Sequence, residues 1–270
     1  MVKFFHAFVG YFAELLLIFN TKAVYDFFMK KGGGIGTERE GSLHRALKFR
    51  YAGVEGATEI AAAGYVCDGI TGDGEIIEVQ TGSFGPLKDK VAAFTAKNKV
   101  RIVHPIILNK QIDLYDEKGT LLHSRKSPRH GNLWDLFKAL LYAPELPKLK
   151  NLTIELAPVD IIEKRIADGS GSWRRKGVRI ADKAPAAYYP PVLLSRPKDY
   201  LRFVPFDEKT EFTVRDLAKE AKISPAVGGK TLYVLLKLDL VERTGKKGNA
   251  WVYQRIRKKK GSRTKPRSPS

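Results

Sequence analysis

The sequence predicts an α/β protein: a mixed sheet flanked by helices, with a winged helix-turn-helix domain at its C-terminal end. Three observations support this. Residues 58–107 run as strand-like segments, then a helix, then another strand, the order of an α/β sheet with a crossover. Residues 212–254 run helix, turn, helix, hairpin, which is winged-helix order. At 43% hydrophobic residues, the 270-residue chain can bury a core.

The elements follow in order. Residues 37–51 read as a helix with Leu43, Ala46 and Leu47 on one face. Residues 58–62 and 65–70 read as short strands. Gly72-Asp73-Gly74 makes a tight turn into residues 75–80, Glu-Ile-Ile-Glu-Val-Gln, a β-branched strand. Pro86 suits the first turn of a helix that runs to about residue 98. Residues 100–107 are apolar enough for a central strand. A hairpin is expected over 113–123, a short helix over 133–142 and a strand over 152–159, with 167–177 and 184–191 loop-rich. Thr213 caps a helix with Asp216 three residues on. Ser224-Pro225 opens the second helix, lined by Leu232, Leu235, Leu236 and Leu238. Residues 241–244 and 251–254 then pair around a basic, glycine-rich tip.

The expected divisions are an N-terminal extension (1–31), an α/β core with an accessory region (32–195), the winged helix (196–256) and a basic, disordered tail (257–270). In the extension, the apolar run 4–19 is interrupted by His6 and Glu14 and falls short of a comfortable membrane span. Met29 is the preferred reading of the start, with 1–28 upstream of the functional protein; the alternatives are an interfacial helix or a true extension that packs on the core.

Lysine and arginine total 48 against 29 acidic residues, a formal charge of +19 that favours a polyanionic partner. The tail holds seven of those cations and no acid, so the rest of the chain still carries +12. The single cysteine, Cys67, rules out an internal disulfide framework and a cysteine-rich zinc site, and it favours a reducing compartment. The expectation is a cytoplasmic, nucleoid-associated protein that binds DNA, has no membrane attachment and forms a possible homodimer.

The candidate chemistry lies in Glu40, Glu59, Asp68, Glu78 and Gln80. Residues i and i+2 of a strand share a face, so Glu78 and Gln80 point together while Ile77 and Val79 face the packed side. Asp68 lies ten residues earlier, across the glycine turn. Two converging carboxylates make an oxygen-rich site suited to Mg²⁺ or Mn²⁺. Asp68, then Glu78-Val79-Gln80 on a hydrophobic strand, then a helix with basic residues, resembles the PD-(D/E)XK nuclease superfamily, with its restriction endonucleases and Holliday-junction resolvases. Ser42-Leu43-His44 and Gly64-Tyr65-Val66-Cys67-Asp68 extend the likeness toward a prokaryotic family that joins such a core to a winged helix.

The resemblance implies a metal-dependent endonuclease in which Asp68 and Glu78 hold the metal and Glu40 approaches it from the first helix. Gln80 stands where the superfamily usually has lysine, and Lys90 or Lys88 of the next helix are candidates to supply that charge. This departure leaves a second reading open: a non-catalytic DNA-binding regulator on a degenerate nuclease fold. An RNA-directed or tRNA-processing nuclease is a third reading. Expected nucleic-acid contacts are Lys230 and Thr231 on the second winged-helix helix, Arg243, Lys246 and Lys247 on the wing, and Arg174 and Arg175 beside Trp173.

Overall fold

The computed structural model describes residues 41–52 and 60–256. The expected extension, its proposed start at Met29, the basic tail, Glu40 and Glu59 lie outside those residues. The chain divides into two compact units. One comprises residues 1–50, 107–131 and 157–190; the other comprises 51–106, 132–156 and 191–270.

In the first unit, helix α1 (Ser42–Ala52) starts on a carboxylate borrowed from a distant strand. The Ser42 backbone N–H and hydroxyl both donate to Asp182, an anion at the positive end of the helix. Arg50 lies over the Tyr188 ring.

The second unit carries the α/β heart. Strands β1 (Ile60–Ala62) and β2 (Tyr65–Cys67) form an antiparallel pair. Strand β3 (Gly69–Ile70) runs antiparallel to β4 (Ile76–Val79). A short 3-10 turn, Gly85–Leu87, leads into α2 (Lys88–Thr95). The chain then returns as β5 (Val100–Tyr115), parallel to β4, with Glu78 level with Ile102. All four residues of β4 are buried, as expected of a strand inside a parallel pair.

Strand β5 runs well past residue 107 before turning into β6 (Leu121–Lys126). The helix expected over 133–142 is a capped 3-10 turn followed by a short α3 (Leu136–Leu140). Strand β7 (Leu152–Ala167) also outruns its expected end at 159. It pairs with β8 (Val178–Tyr188), which occupies 184–188, a stretch expected to be loop. Residues 184–188, Ala-Pro-Ala-Ala-Tyr, carry little strand signal because alanine and proline are poor strand formers, and pairing with β7 supplies the order. Strand β9 (Val192–Leu194) adds to β7, giving a mixed seven-stranded sheet with main path β3-β4-β5-β7-β8.

After β10 (Phe212–Thr213) come α4 (Val214–Glu220), α5 (Pro225–Lys237) and the hairpin β11 (Val241–Lys247) and β12 (Ala250–Arg255). Strand β12 lies between β10 and β11 in a separate three-stranded sheet. Thr213 and Asp216 form the expected reciprocal capping box. Ser224 caps α5, with Pro225 at its first position. Helix α5 packs against α3.

One charged cluster holds the second unit's strands together. Arg101 donates to Glu155 at 2.9 Å and to Glu75 at 2.6 Å, while the Tyr51 hydroxyl donates to Glu155 at 2.5 Å. Burial works against the Arg101 charge, but the two carboxylates outweigh it and raise its pKa. The Glu155 side chain is 3% exposed. Removing its cation strands a buried charge, so Arg101→Ala is expected to destabilise the protein by about 3 kcal/mol. Denaturant unfolding checks this. A change under about 1 kcal/mol would show that the cluster is dispensable.

Candidate functional site

The site grows from the β3–β4 hairpin. The Thr71 hydroxyl donates to Asp73 and accepts from the Glu75 backbone N–H, which closes the turn. Gly69 is level with Ile77 and Ile70 with Ile76. Extending that register by one residue sets Asp68 opposite Glu78. The two are tied through the backbone as well, because the Val79 N–H donates to Asp68 Oδ2 at 2.8 Å. From α2, Lys90 Nζ reaches Glu78 Oε1 at 2.6 Å, and its ammonium lies 5.8 Å from the centre of the Phe94 ring.

Asp68, Glu78 and Lys90 are therefore gathered in one place, with the helix lysine beside the strand carboxylate. The surroundings differ from the expectation of an open face opposite the packed Ile77 and Val79. The Glu78 side chain is only 7% exposed, because α2 lies over that face too. Gln80, in the place usually filled by lysine, donates from Nε2 to the Ser83 carbonyl at 2.6 Å, tying it to the turn after β4. Lys88 is exposed. Cys67 is buried, as a small apolar group would be. Among the described residues, no group of three or more His, Cys, Asp or Glu side chains is arranged to hold a metal ion.

His104 belongs to this neighbourhood and carried no recognisable motif. It stands on β5, and its Nδ1 lies 2.6 Å from the Gln80 carbonyl oxygen. A carbonyl only accepts, so Nδ1 carries the proton. The Phe84 ring packs edge-on against the imidazole. Burial pushes the His104 pKa below its ordinary value, against the opposing pull of the Gln80 carbonyl and of Asp135.

The expected nucleic-acid contacts divide. Arg243 and Lys246 lie 4.6 and 4.5 Å from the centre of the Trp251 ring, so the β11–β12 hairpin presents an indole with two cations against it. Lys247 is exposed beside them and Lys230 is half-buried on α5. Thr231 is a correction. It is 0% exposed and its hydroxyl donates to the Val227 carbonyl at 3.0 Å, so it faces the interior rather than a groove. The outer face of α5 instead carries Tyr233 and Lys237 with Lys230. Arg174 and Arg175 are exposed, and the Arg174 guanidinium lies 5.5 Å from the Trp173 ring. The aromatic partners Trp251 and Tyr233 were absent from the expected set; tryptophan and tyrosine near a basic hairpin were the signal available.

Comparison with known proteins adds family context. The family model described as "Domain of unknown function (DUF8091)" matches residues 41–192. A curated relative from Treponema pallidum (strain Nichols), described as "Uncharacterized protein", is 30% identical over 149 residues, covering 55% of this chain. The chain spans 59% of that relative's length. No solved structure matches. Among the described residues, no helix is long and apolar enough to cross a membrane.

The His104 environment makes a pH prediction. A histidine whose folded pKa is depressed contributes stability that is present above about pH 6.5 and lost as pH falls below it. Stability is expected to fall between pH 6.5 and 5.5 by up to about 1.4 kcal/mol per pH unit from this group. His104→Asn should flatten that slope in urea titrations. An unchanged slope would place the titration elsewhere.

Proposed function

The chain belongs to the DUF8091 family, and we propose that this member is a metal-dependent phosphodiester hydrolase acting on DNA, with a winged helix as its DNA-binding domain. The observation that carries the proposal is the opposition of Asp68 and Glu78 across a two-strand register, with Lys90 of the following helix in contact with Glu78. The order helix, hairpin, strand, helix, parallel strand supports reading residues 42–115 as a PD-(D/E)XK-like core. The order α4, α5, β11, β12 supports the winged-helix reading of the C-terminal elements.

The donor chemistry fits a hard cation: both opposed side chains offer carboxylate oxygens, the preferred ligands of Mg²⁺ and Mn²⁺. Further oxygens would come from water or from the substrate phosphate. When bound, such an ion polarises the phosphodiester and makes its water a better nucleophile at neutral pH. Asp68, held by the Val79 N–H, keeps a fixed orientation and lies across from Glu78. Lys90 brings the positive charge that Gln80 lacks, in position to stabilise negative charge growing on the phosphate oxygens. Gln80 fixes the turn that ends β4 through Ser83. Arg243, Lys246 and Lys247 pair with backbone phosphates, leaving Trp251 to pack against sugar edges.

A specific observation favours the second reading, a DNA-binding regulator without catalysis. The Glu78–Lys90 ion pair already neutralises the buried carboxylate, so the fold needs no metal there. Calorimetric titration with Mn²⁺ separates the two readings. The hydrolase predicts saturable binding that is lost in Asp68→Asn, and the regulator predicts none.

For the hydrolase, Asp68→Asn and Glu78→Gln are expected to abolish Mg²⁺-dependent nicking of supercoiled plasmid. Lys90→Ala should slow it by about 10²-fold, the usual loss on removing one electrostatic stabiliser. All three should bind duplex DNA within about threefold of the parent, read by fluorescence anisotropy. Nicking that persists in highly purified Asp68→Asn protein would overturn the assignment.

A further inference from the structure

We propose that the tip joining β7 to β8 is a stacking platform for an unpaired nucleobase, and that the protein thereby prefers single-stranded or branched nucleic acid at this point. The inference rests on the nucleic-acid-binding part of the reading above and not on cleavage.

The tip is rigidly built. Strands β7 and β8 pair up to Ala167 and Val178. Beyond them, the Gly171 N–H donates to the Gly177 carbonyl at 2.7 Å, which cross-links the two sides of the loop. Gly171 approaches the opposite strand so closely that an added Cβ would lie 2.0 Å from the Val178 carbonyl oxygen. Gly177 adopts φ +78°, a conformation that other residues rarely hold. The Asp168 carboxylate is consumed at the base of the loop. It accepts from the Ser170 hydroxyl at 2.6 Å, from the Ser170 N–H at 3.1 Å and from the Arg179 guanidinium. The Ser170 hydroxyl, with Arg179, holds its pKa down to about 2, so it stays charged and engaged.

What the loop displays is unusual for a folded surface. Residues Trp173–Arg175 make one 3-10 turn that closes on Lys176. Trp173 is 83% exposed. Arg174, Arg175 and Lys176 follow it directly, all exposed. The Arg175 Nε donates to the Val178 carbonyl at 3.3 Å, which leaves the rest of its guanidinium facing outward.

The chemistry selects the partner. A large indole left in water gains by being covered, yet an apolar protein surface would have to desolvate three adjacent cations to cover it. A nucleic-acid strand meets both demands at once: a base covers the indole face while the flanking phosphates meet Arg174, Arg175 and Lys176. Bases inside a duplex already stack on one another, so the partner offered here is an unpaired base.

The test uses the full chain and fluorescein-labelled oligonucleotides of one sequence, as single strand, as duplex and as a single strand with abasic sites. Trp173→Ala should weaken single-strand binding by about 5- to 100-fold and duplex binding by less than about twofold. Trp173→Phe should restore most of the single-strand affinity, and the abasic strand should bind parent and Trp173→Ala proteins alike. Arg174→Ala/Arg175→Ala should weaken all three and lower the salt dependence of single-strand binding by about 0.7 in log–log slope for each cation removed. Equal losses on single strand and duplex, no loss at all, or no rescue by phenylalanine would overturn the stacking platform. A parent protein that binds both forms without nicking DNA removes the hydrolase reading and leaves this one standing. A parent that binds no nucleic acid removes both.

Discussion

The sheet depends on matching its three most deeply buried carboxylates, among the described residues, with cations from neighbouring elements. Glu78, Glu155 and Glu163 all lie on strands, and each is at most 5% exposed as a residue. Lys90 reaches Glu78 from the helix that follows its strand. Arg101 reaches Glu155 from the adjacent strand, as Lys110 reaches Glu163. An isolated carboxylate at that depth would be driven to protonate, and the partner removes that pressure. At Glu163, burial pushes the pKa up, but Lys110 and Arg165 more than offset it, so the net shift is downward. Ion pairs of this kind add little net stability against an apolar equivalent, but loss of either partner is severe. They act mainly as constraints on which strands lie side by side.

The three pairs differ in what else they can do. Arg101 spreads a planar guanidinium across Glu75 and Glu155, with the Tyr51 hydroxyl on the remaining side of Glu155. That fork is geometrically committed. Lys90 presents a compact ammonium on a flexible stem beside Glu78, whose neighbour Val79 holds Asp68 through its backbone N–H. A contact of that type can exchange partners as charge enters the site. The same physical device thus holds the fold at one position and, in the proposed hydrolase, would take part in the chemistry at another.

The cationic surfaces share a pattern of their own. On the β11–β12 hairpin, Arg243 and Lys246 both lie against Trp251; at the β7–β8 tip, Trp173 stands beside Arg174. Both hairpins carry glycines in their turns, and both leave the aromatic ring exposed. A flat apolar surface beside fixed positive charge suits a ligand that alternates planar rings with phosphates. The folded region's own excess of cations, apart from the tail, is concentrated in part at these two ends.

What the sequence determined was local. The Gly72–Gly74 turn, the β4 strand, Pro86 at a helix start and the Thr213–Asp216 capping box each follow from residues a few positions apart, and each appears where expected. The acidic positions Asp68 and Glu78 and the reach of Lys90 were legible for the same reason, since a short hairpin and one following helix bring them together. The tertiary structure decided the rest. Strands β5 and β7 run to sixteen residues because each is paired on successive stretches, β5 with β4 and then β6, β7 with β9 and then β8. Thr231 faces inward because packing sets the phase of α5. Gln80 turned to Ser83, and His104 entered the site from a parallel strand 24 residues away. The Arg101–Glu155 pair joins residues 54 apart, a separation at which no periodicity carries information. Short-range order is written in backbone and side-chain preference, whereas long-range pairing exists only once the core has chosen its neighbours.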